Sequence, residues 1–141
     1  MSLRFEIIDA NNIEEVIPLV EQLNDYRISV ELLKERFIEM ISQNYECAVA
    51  YDGAILIGVC GLWFCTRHYS GKSVEFDHVF IIEEYRGKGI GKHFFEWIYN
   101  YCVSKGCESG ELNTYVSNYP SHKFYYNEGF SILGYHFFKK L

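Results

Sequence analysis

One stretch constrains this chain more than any other: Tyr85-Arg86-Gly87-Lys88-Gly89-Ile90-Gly91-Lys92, three glycines interleaved with basic residues. Before it runs Val79-Phe80-Ile81-Ile82, a short unbroken apolar run of the kind found in buried strands. After it, Ile90, Phe94, Trp97, Ile98, Tyr101 and Cys102 recur on one face of a helix that Lys105-Gly106 ends. The glycines therefore open a helix. A helix start carries N–H groups without intrahelical partners and the positive end of the macrodipole. With no side chains in the way at Gly87, Gly89 and Gly91, such a start suits a diphosphate, with Arg86 and Lys88 as charge partners.

The spacing excludes two common phosphate sites. No G-x-x-x-x-G-K-[ST] is present, and the dinucleotide fingerprint fails because Lys92 and His93 follow Gly91. Other classes fall to composition. A formal charge of -6 disfavours a nucleic-acid surface, which needs clustered cations against phosphates, and suits a cationic amine better. No apolar run approaches the ~20 residues that cross a bilayer, and the first residues show no signal-peptide core, so a cytoplasmic protein is expected. Five cysteines without a C-x-x-C pair read as free, buried thiols. His68, His93 and His136 show no ligand spacing and His122 reads either way, so no metal site is predicted.

The remaining pattern predicts one mixed α/β domain over residues 1–141. Leu3, Phe5 and Ile7 alternate as a strand; Asn11 or Asn12 caps a helix bearing Ile13, Val16, Ile17 and Val20, in which Pro18 sits awkwardly. Ser29 starts a second helix with Leu33, Phe37, Met40 and Ile41 on its apolar face, and residues 24–28 between the helices read as a lip. Strands over 47–51 and 54–64 flank Asp52-Gly53, a strong hairpin signal. A polar loop over 67–73 leads into a central strand over 74–82. After the long helix come a strand over 111–116, a short helix over 118–127 and one or two last strands over 132–139.

The order Arg86-x-x-Gly89-x-Gly91 between a strand and a helix resembles the acyl-CoA diphosphate loop of the GNAT superfamily of N-acetyltransferases. Asn118-x-x-Ser121-His122-x-Phe124-Tyr125-x-x-x-Gly129-Phe130 is similar to that superfamily's closing motif, with Ser121 where alanine is usual. Glu83 stands where many members have proline. The resemblance spans the whole chain and implies a central mixed sheet of six to seven strands flanked by about four helices. It also implies acetyl-CoA as cosubstrate and acetyl transfer to a primary amine by direct attack in a ternary complex.

It implies roles as well. Val79, Phe80 and Ile81 would offer backbone to the pantetheine arm, with the Ile81 N–H as oxyanion donor. Arg86, Gly87, Lys88, Gly89, Ile90, Gly91 and Lys92 would cradle the diphosphate, and Asn118 would touch the pantetheine. Tyr125 would act as general acid toward the thiolate. Asp77 matches the catalytic glutamate of polyamine acetyltransferases, with Glu75 as second candidate. Strand alternation predicts that Glu75, Asp77, Val79 and Ile81 share one face and that His78 lies on the other, in a structural role.

The tail is similar to that of aminoalkylphosphonate N-acetyltransferases, and Arg67, His68 and Lys72 would be the basic groups for such a substrate; the same three read equally as a solvated loop. The acceptor class stays open at this level: a small-molecule amine leads, a protein lysine or N-terminus is the alternative, and a non-catalytic acyl-CoA sensor is the non-enzymatic rival. A homodimer is compatible with the edge strands.

Overall fold

The computed structural model describes all residues 1–141. Strand β1 (Leu3–Ile7) leads through a 3₁₀ turn, Ala10–Val16, into α1 (Ile17–Leu23) and α2 (Val30–Met40). Strands β2 (Tyr45–Asp52), β3 (Ile55–Arg67) and β4 (Gly71–Ile81) follow, then α3 (Ile90–Ser104), β5 (Ser109–Leu112) and α4 (Tyr119–Asn127). The sheet order is β1-β2-β3-β4-β5, antiparallel throughout except for the parallel β4–β5 pair. A parallel neighbour needs a crossover, and α3 supplies it.

Alternation along the strands divides the core into two layers. Cys47, Val49 and Val59 face Val16, Ile17, Val20, Leu33 and Phe37 from the α1/α2 side. Ala48, Ala50, Cys60, Leu62, Val74 and Phe76 face Ile90, Phe94, Phe95, Ile98 and Cys102 from the α3 side. Burial on both faces explains why β2 and β3 read as nearly continuous apolar runs.

Local chemistry sets the boundaries. Asp9, not Asn11 or Asn12, caps the first helical segment by accepting from the Asn11 N–H. Pro18 lies in the first turn of α1, where its missing N–H would have had no partner. Ser29 accepts from the Leu32 N–H at the start of α2. Asp52 pairs with Ile55 around a two-residue turn in which Gly53 has φ 59°. After α4, Gly129 adopts φ 92°, and the Phe130 N–H donates to the Tyr125 carbonyl in a Schellman-type stop.

Three expectations change. The polar loop expected over 67–73 is mostly hairpin, because β3 and β4 pair as far out as Arg67 and Gly71. There Arg67 binds Glu111 at 2.8 Å and Lys72 donates to the Lys105 carbonyl, so both cations are engaged locally. The sheet has five strands where six to seven are expected, because β5 stops at Leu112 and residues 131–141 form no strand. Of the five free cysteines, Cys47, Cys60 and Cys102 are buried, whereas Cys107 is half-buried and Cys65 exposed. No helix is long and apolar enough to cross a membrane.

Candidate active site

Beyond Phe76 the β4 strand loses its outer neighbour, because the parallel register runs only from Ser73↔Ser109 to Phe76↔Leu112. The stretch Asp77–Ile81 thus presents an open edge. The Ile82 N–H donates to the Ile57 carbonyl at 2.9 Å, and inward and outward groups alternate along an antiparallel strand, so Ile81 and Val79 turn their peptide groups toward that edge. The Arg86 Nε donates to the Ile81 carbonyl at 2.7 Å, which leaves the Ile81 N–H free, while the guanidinium lies 4.9 Å from the Phe80 ring centre.

At the end of this edge the chain turns through Glu83–Tyr85 into the glycine loop. The Tyr85 hydroxyl donates to Asp52 at 2.7 Å, which ties the loop to the β2–β3 turn. Gly87 (φ 73°) and Gly89 (φ 78°) both sit in left-handed conformations that favour glycine, and a Cβ at either would meet nothing within 4 Å. The backbone N–H groups of residues 87–92 have no acceptor in the protein: hydrogen bonding stops at Arg86 and resumes with His93. Six consecutive unpartnered donors thus stand at the N-terminus of a 15-residue helix, a geometry that suits an anion. Lys88 and Lys92 are exposed beside them and form no ion pair.

Helix α4 closes the other side. A Cβ on Gly91 would lie 3.4 Å from the Phe124 ring, so the start of α3 and α4 are in contact there. The next residue, Tyr125, packs its ring between Phe95 and Phe130 in the same layer as Val79 and Ile81. Its hydroxyl has no partner in the protein and is not sealed from solvent, and burial of the ring pushes its pKa up to about 12. Asn118 caps α4 by position while its side-chain amide forms no hydrogen bond.

The acids approach from the opposite face. Glu75 pairs directly with Trp63 of the α1/α2 layer, and its carboxylate accepts from the Asn113 side chain at 3.0 Å. Asp77 is exposed and sits opposite Gly61. Between Gly61↔Asp77 and Val59↔Phe80 two residues of β4 oppose Cys60 alone, which defines a β-bulge, and His78 in it has φ 36°. The bulge shifts the alternation by one. His78 therefore lies on the same face as Asp77, against Phe37 and Tyr45, while Val79 and Ile81 turn to the α3 layer; strand alternation had predicted the reverse for all three.

His78 links two groups. Its Nδ1 lies 3.4 Å from the Asp77 carboxylate and its Nε2 2.7 Å from the Tyr45 hydroxyl. A carboxylate only accepts, so a neutral ring carries its proton on Nδ1 and accepts at Nε2 from Tyr45. Burial drives the Tyr45 phenol far above its ordinary pKa, which keeps it a donor. Hydrogen bonding from His78 holds the Asp77 carboxyl below the usual carboxylate range. Asp77 is thus ionised at every working pH, and the stability it contributes is lost only as pH falls below that of an ordinary aspartate.

Gly61 makes room for this arrangement, since a Cβ there would fall 1.9 Å from the His78 ring. Gly61→Ala is expected to displace the imidazole and cost about 1–3 kcal/mol of stability. The Asp77 carboxyl would rise toward its ordinary range. Thermal unfolding together with an NMR titration of Asp77 checks both effects; an unchanged melt with Asp77 still depressed would contradict the geometry.

The sheet thus opens beside a glycine-opened helix, with free amides on one side and acids on the other. The profile described as "Acetyltransferase (GNAT) family" matches residues 13–130. This chain belongs to that family. Among solved structures it is similar to an aminoglycoside acetyltransferase, meta-AAC0020, from an uncultured soil metagenomic sample, with a TM-score of 0.86 at 18% identity, covering 99% of this chain and 96% of that one. AAC(6')-Iy, solved with a CoA-linked bisubstrate analogue of acetylneamine, matches with TM-score 0.82 at 17% identity over 100% and 99% of the two chains. A ribosomal-protein-alanine N-acetyltransferase from Brucella melitensis biovar Abortus 2308 matches with TM-score 0.83 at 14% identity over all of both chains. No curated protein sequence matches the chain.

Proposed function

We propose that this chain, as one domain over residues 1–141, transfers an acetyl group from acetyl-CoA to a primary amine of a small molecule. The observation that carries this reading is the run of six unpartnered amides at residues 87–92, set against the open edge of β4. Acetyl-CoA supplies an activated acyl group whose leaving group is a thiolate. Gly87, Lys88, Gly89, Ile90, Gly91 and Lys92 bind its diphosphate through their N–H groups, and Arg86, Lys88 and Lys92 add charge. The edge of Val79, Phe80 and Ile81, with Asn118, orients the amide-rich arm; these edge groups need partners, as buried backbone does. The Ile81 N–H stabilises the developing oxyanion.

The two faces of the sheet divide the proton work. Tyr125, from the α3 side, keeps its proton up to high pH and donates it to the thiolate. Asp77, from the α1/α2 side, is exposed and ionised, and draws in an ammonium group; Glu75 adds charge on the same face. The lowered pKa makes Asp77 a better cation ligand than a final proton holder. His78, directly behind it, receives the proton at Nε2 through the Tyr45 hydroxyl, which donates its own proton to the ring as it takes up another. Acids from one face and Tyr125 from the other support direct transfer with both substrates bound. The free thiols support a reducing, cytoplasmic setting.

Asp77→Asn is expected to lower kcat/KM for a cationic amine by about 10- to 100-fold, the range of a lost charge-assisted contact of ~1.5–3 kcal/mol. The deficit should narrow as pH rises toward the amine's own pKa near ~10, because a neutral amine needs no counter-charge. Thiol release from acetyl-CoA, measured across aminoglycosides, polyamines, amino sugars, aminoalkylphosphonates and a peptide amine, tests both the reading and the variant. Turnover confined to the peptide would replace the small-molecule acceptor, and no turnover with measurable CoA binding would favour a sensor.

A further inference from the structure

Where Tyr125 stands depends on how α4 is held, because its hydroxyl bonds nothing in the protein and its ring packs among other rings, those of Phe95, Phe124 and Phe130. Ring contacts of this kind let one packed helix slide slightly along another. The contacts between α3 and α4 run in order along both helices. Gly91 in the first turn of α3 meets Phe124, Phe95 one turn on meets Phe124 and Tyr125, and Tyr99 a further turn on reaches Glu128. Residues four apart share a helix face, so 91, 95 and 99 form one row on α3, and 124 and 128 form one at the end of α4.

The last of these contacts differs in kind. The Tyr99 hydroxyl donates to the Glu128 carboxylate at 3.0 Å, a hydrogen bond that joins the end of α4 to another helix. The other side-chain bond of α4, from the His122 ring to the Tyr115 carbonyl, stays within the segment that leads into the helix. Glu128 is the C-cap of α4, where the helix dipole is negative and a carboxylate is disfavoured. Gly129 at φ 92° and the Phe130 N–H already end the helix through the backbone, so the stop does not need this side chain. Tyr99 and Glu128 are both half-buried. Burial first, and Glu128 second, raise the Tyr99 phenol above its ordinary pKa, so it remains a donor. A carboxylate set against its own helix dipole and met there by a phenol from the neighbouring helix serves the spacing of the two helices, not the stability of either.

We infer that Tyr99 and Glu128 are positioning residues for Tyr125: their hydrogen bond clasps the end of α4 onto α3 and so sets the Tyr125 hydroxyl where it can reach the departing thiolate. The inference rests on the transferase reading above, in which Tyr125 is the general acid. The Tyr125 carbonyl accepts from the Glu128 N–H at 3.1 Å, so a shift of the helix end is passed on to Tyr125 through one hydrogen bond. Without the Tyr99 hydroxyl, the carboxylate of Glu128 has no partner where it stands and turns out to water, drawing the last turn of α4 with it.

Thiol release from acetyl-CoA, with the best small amine of the acceptor panel, tests the clasp in three variants. Tyr99→Phe and Glu128→Ala are each expected to lower kcat about 10-fold, since a misplacement of ~1 Å costs about 10²-fold. Coenzyme A affinity in calorimetric titration should stay at the wild-type value, because the glycine loop is untouched. Glu128→Gln should keep the wild-type rate, because its amide oxygen still accepts from Tyr99. On a Tyr125→Phe background, neither Tyr99→Phe nor Glu128→Ala should lower kcat further. Unchanged kcat in Tyr99→Phe and Glu128→Ala, a Glu128→Gln protein as slow as Glu128→Ala, a matching fall in coenzyme A affinity, or a loss added to that of Tyr125→Phe would each overturn the inference. A second arm needs no turnover. In protein with ¹³C-labelled tyrosine rings, the Tyr125 resonances should move in Glu128→Ala, which removes no ring, and stay in place in Glu128→Gln. That pattern in a chain that releases no thiol would support the clasp and overturn the transferase reading, whereas unmoved Tyr125 resonances in Glu128→Ala would overturn the clasp itself.

Discussion

Gly89→Asp is expected to lower the affinity for coenzyme A by about 100-fold or more and to leave the fold intact. Gly89 is the N-cap of α3 at φ 78°, with empty space where a Cβ would stand. Aspartate tolerates that conformation better than other side chains and is a good N-cap. Its carboxylate would bond the very amides that are otherwise free and would repel a diphosphate from the same place. Losing two charge-assisted hydrogen bonds of ~1.5–3 kcal/mol each accounts for the fold-change. Melting temperature should stay within a few degrees of the wild type or rise, while calorimetric titration with coenzyme A loses its heat. Equal affinity in the two proteins would mean that the diphosphate is held elsewhere.

Tyr125→Phe is expected to lower kcat by about 10²- to 10³-fold, within the range of general acid catalysis. The affinity for coenzyme A should change little. The hydroxyl has no partner in the protein, so its removal leaves nothing unsatisfied, and the ring contacts with Phe95 and Phe130 survive. Stability should therefore be unchanged. Because burial raises the phenol to about 12, the group stays protonated through the working range, and the wild type should show no alkaline loss of rate from this residue below pH ~10. Steady-state kinetics over pH, together with a melt, separates this role from packing: a fall in stability with kcat preserved would mark Tyr125 as structural.

What was legible in the sequence follows from how local the cause is. The glycine loop and the closing motif are short runs whose backbone needs are written in residue type, and the loop opens α3 where the run places it. The hairpin at Gly53 and the Ser29 cap are equally local. The bulge at His78 was not legible from alternation, because one extra residue in β4 reverses every later side chain without altering the apolar pattern. A signal was present on the neighbouring strand: Gly58 and Gly61 inside the apolar run of β3 announce a close approach, at Ile81 and at the His78 ring. Tyr45 carried no such signal, since its place beside His78 depends on register between distant strands. The tail over 132–139 reads as strand because its composition is that of a strand, and a partner edge is not encoded in the segment itself.

The most direct test of the whole account is an ¹⁵N–¹H spectrum of the protein titrated with coenzyme A and, separately, with pantetheine. The account expects the amides of Gly87 to Lys92 to shift most with coenzyme A and to stay still with pantetheine, which lacks the diphosphate. Unmoved loop amides at saturating coenzyme A, or the same shifts with both ligands, would contradict it.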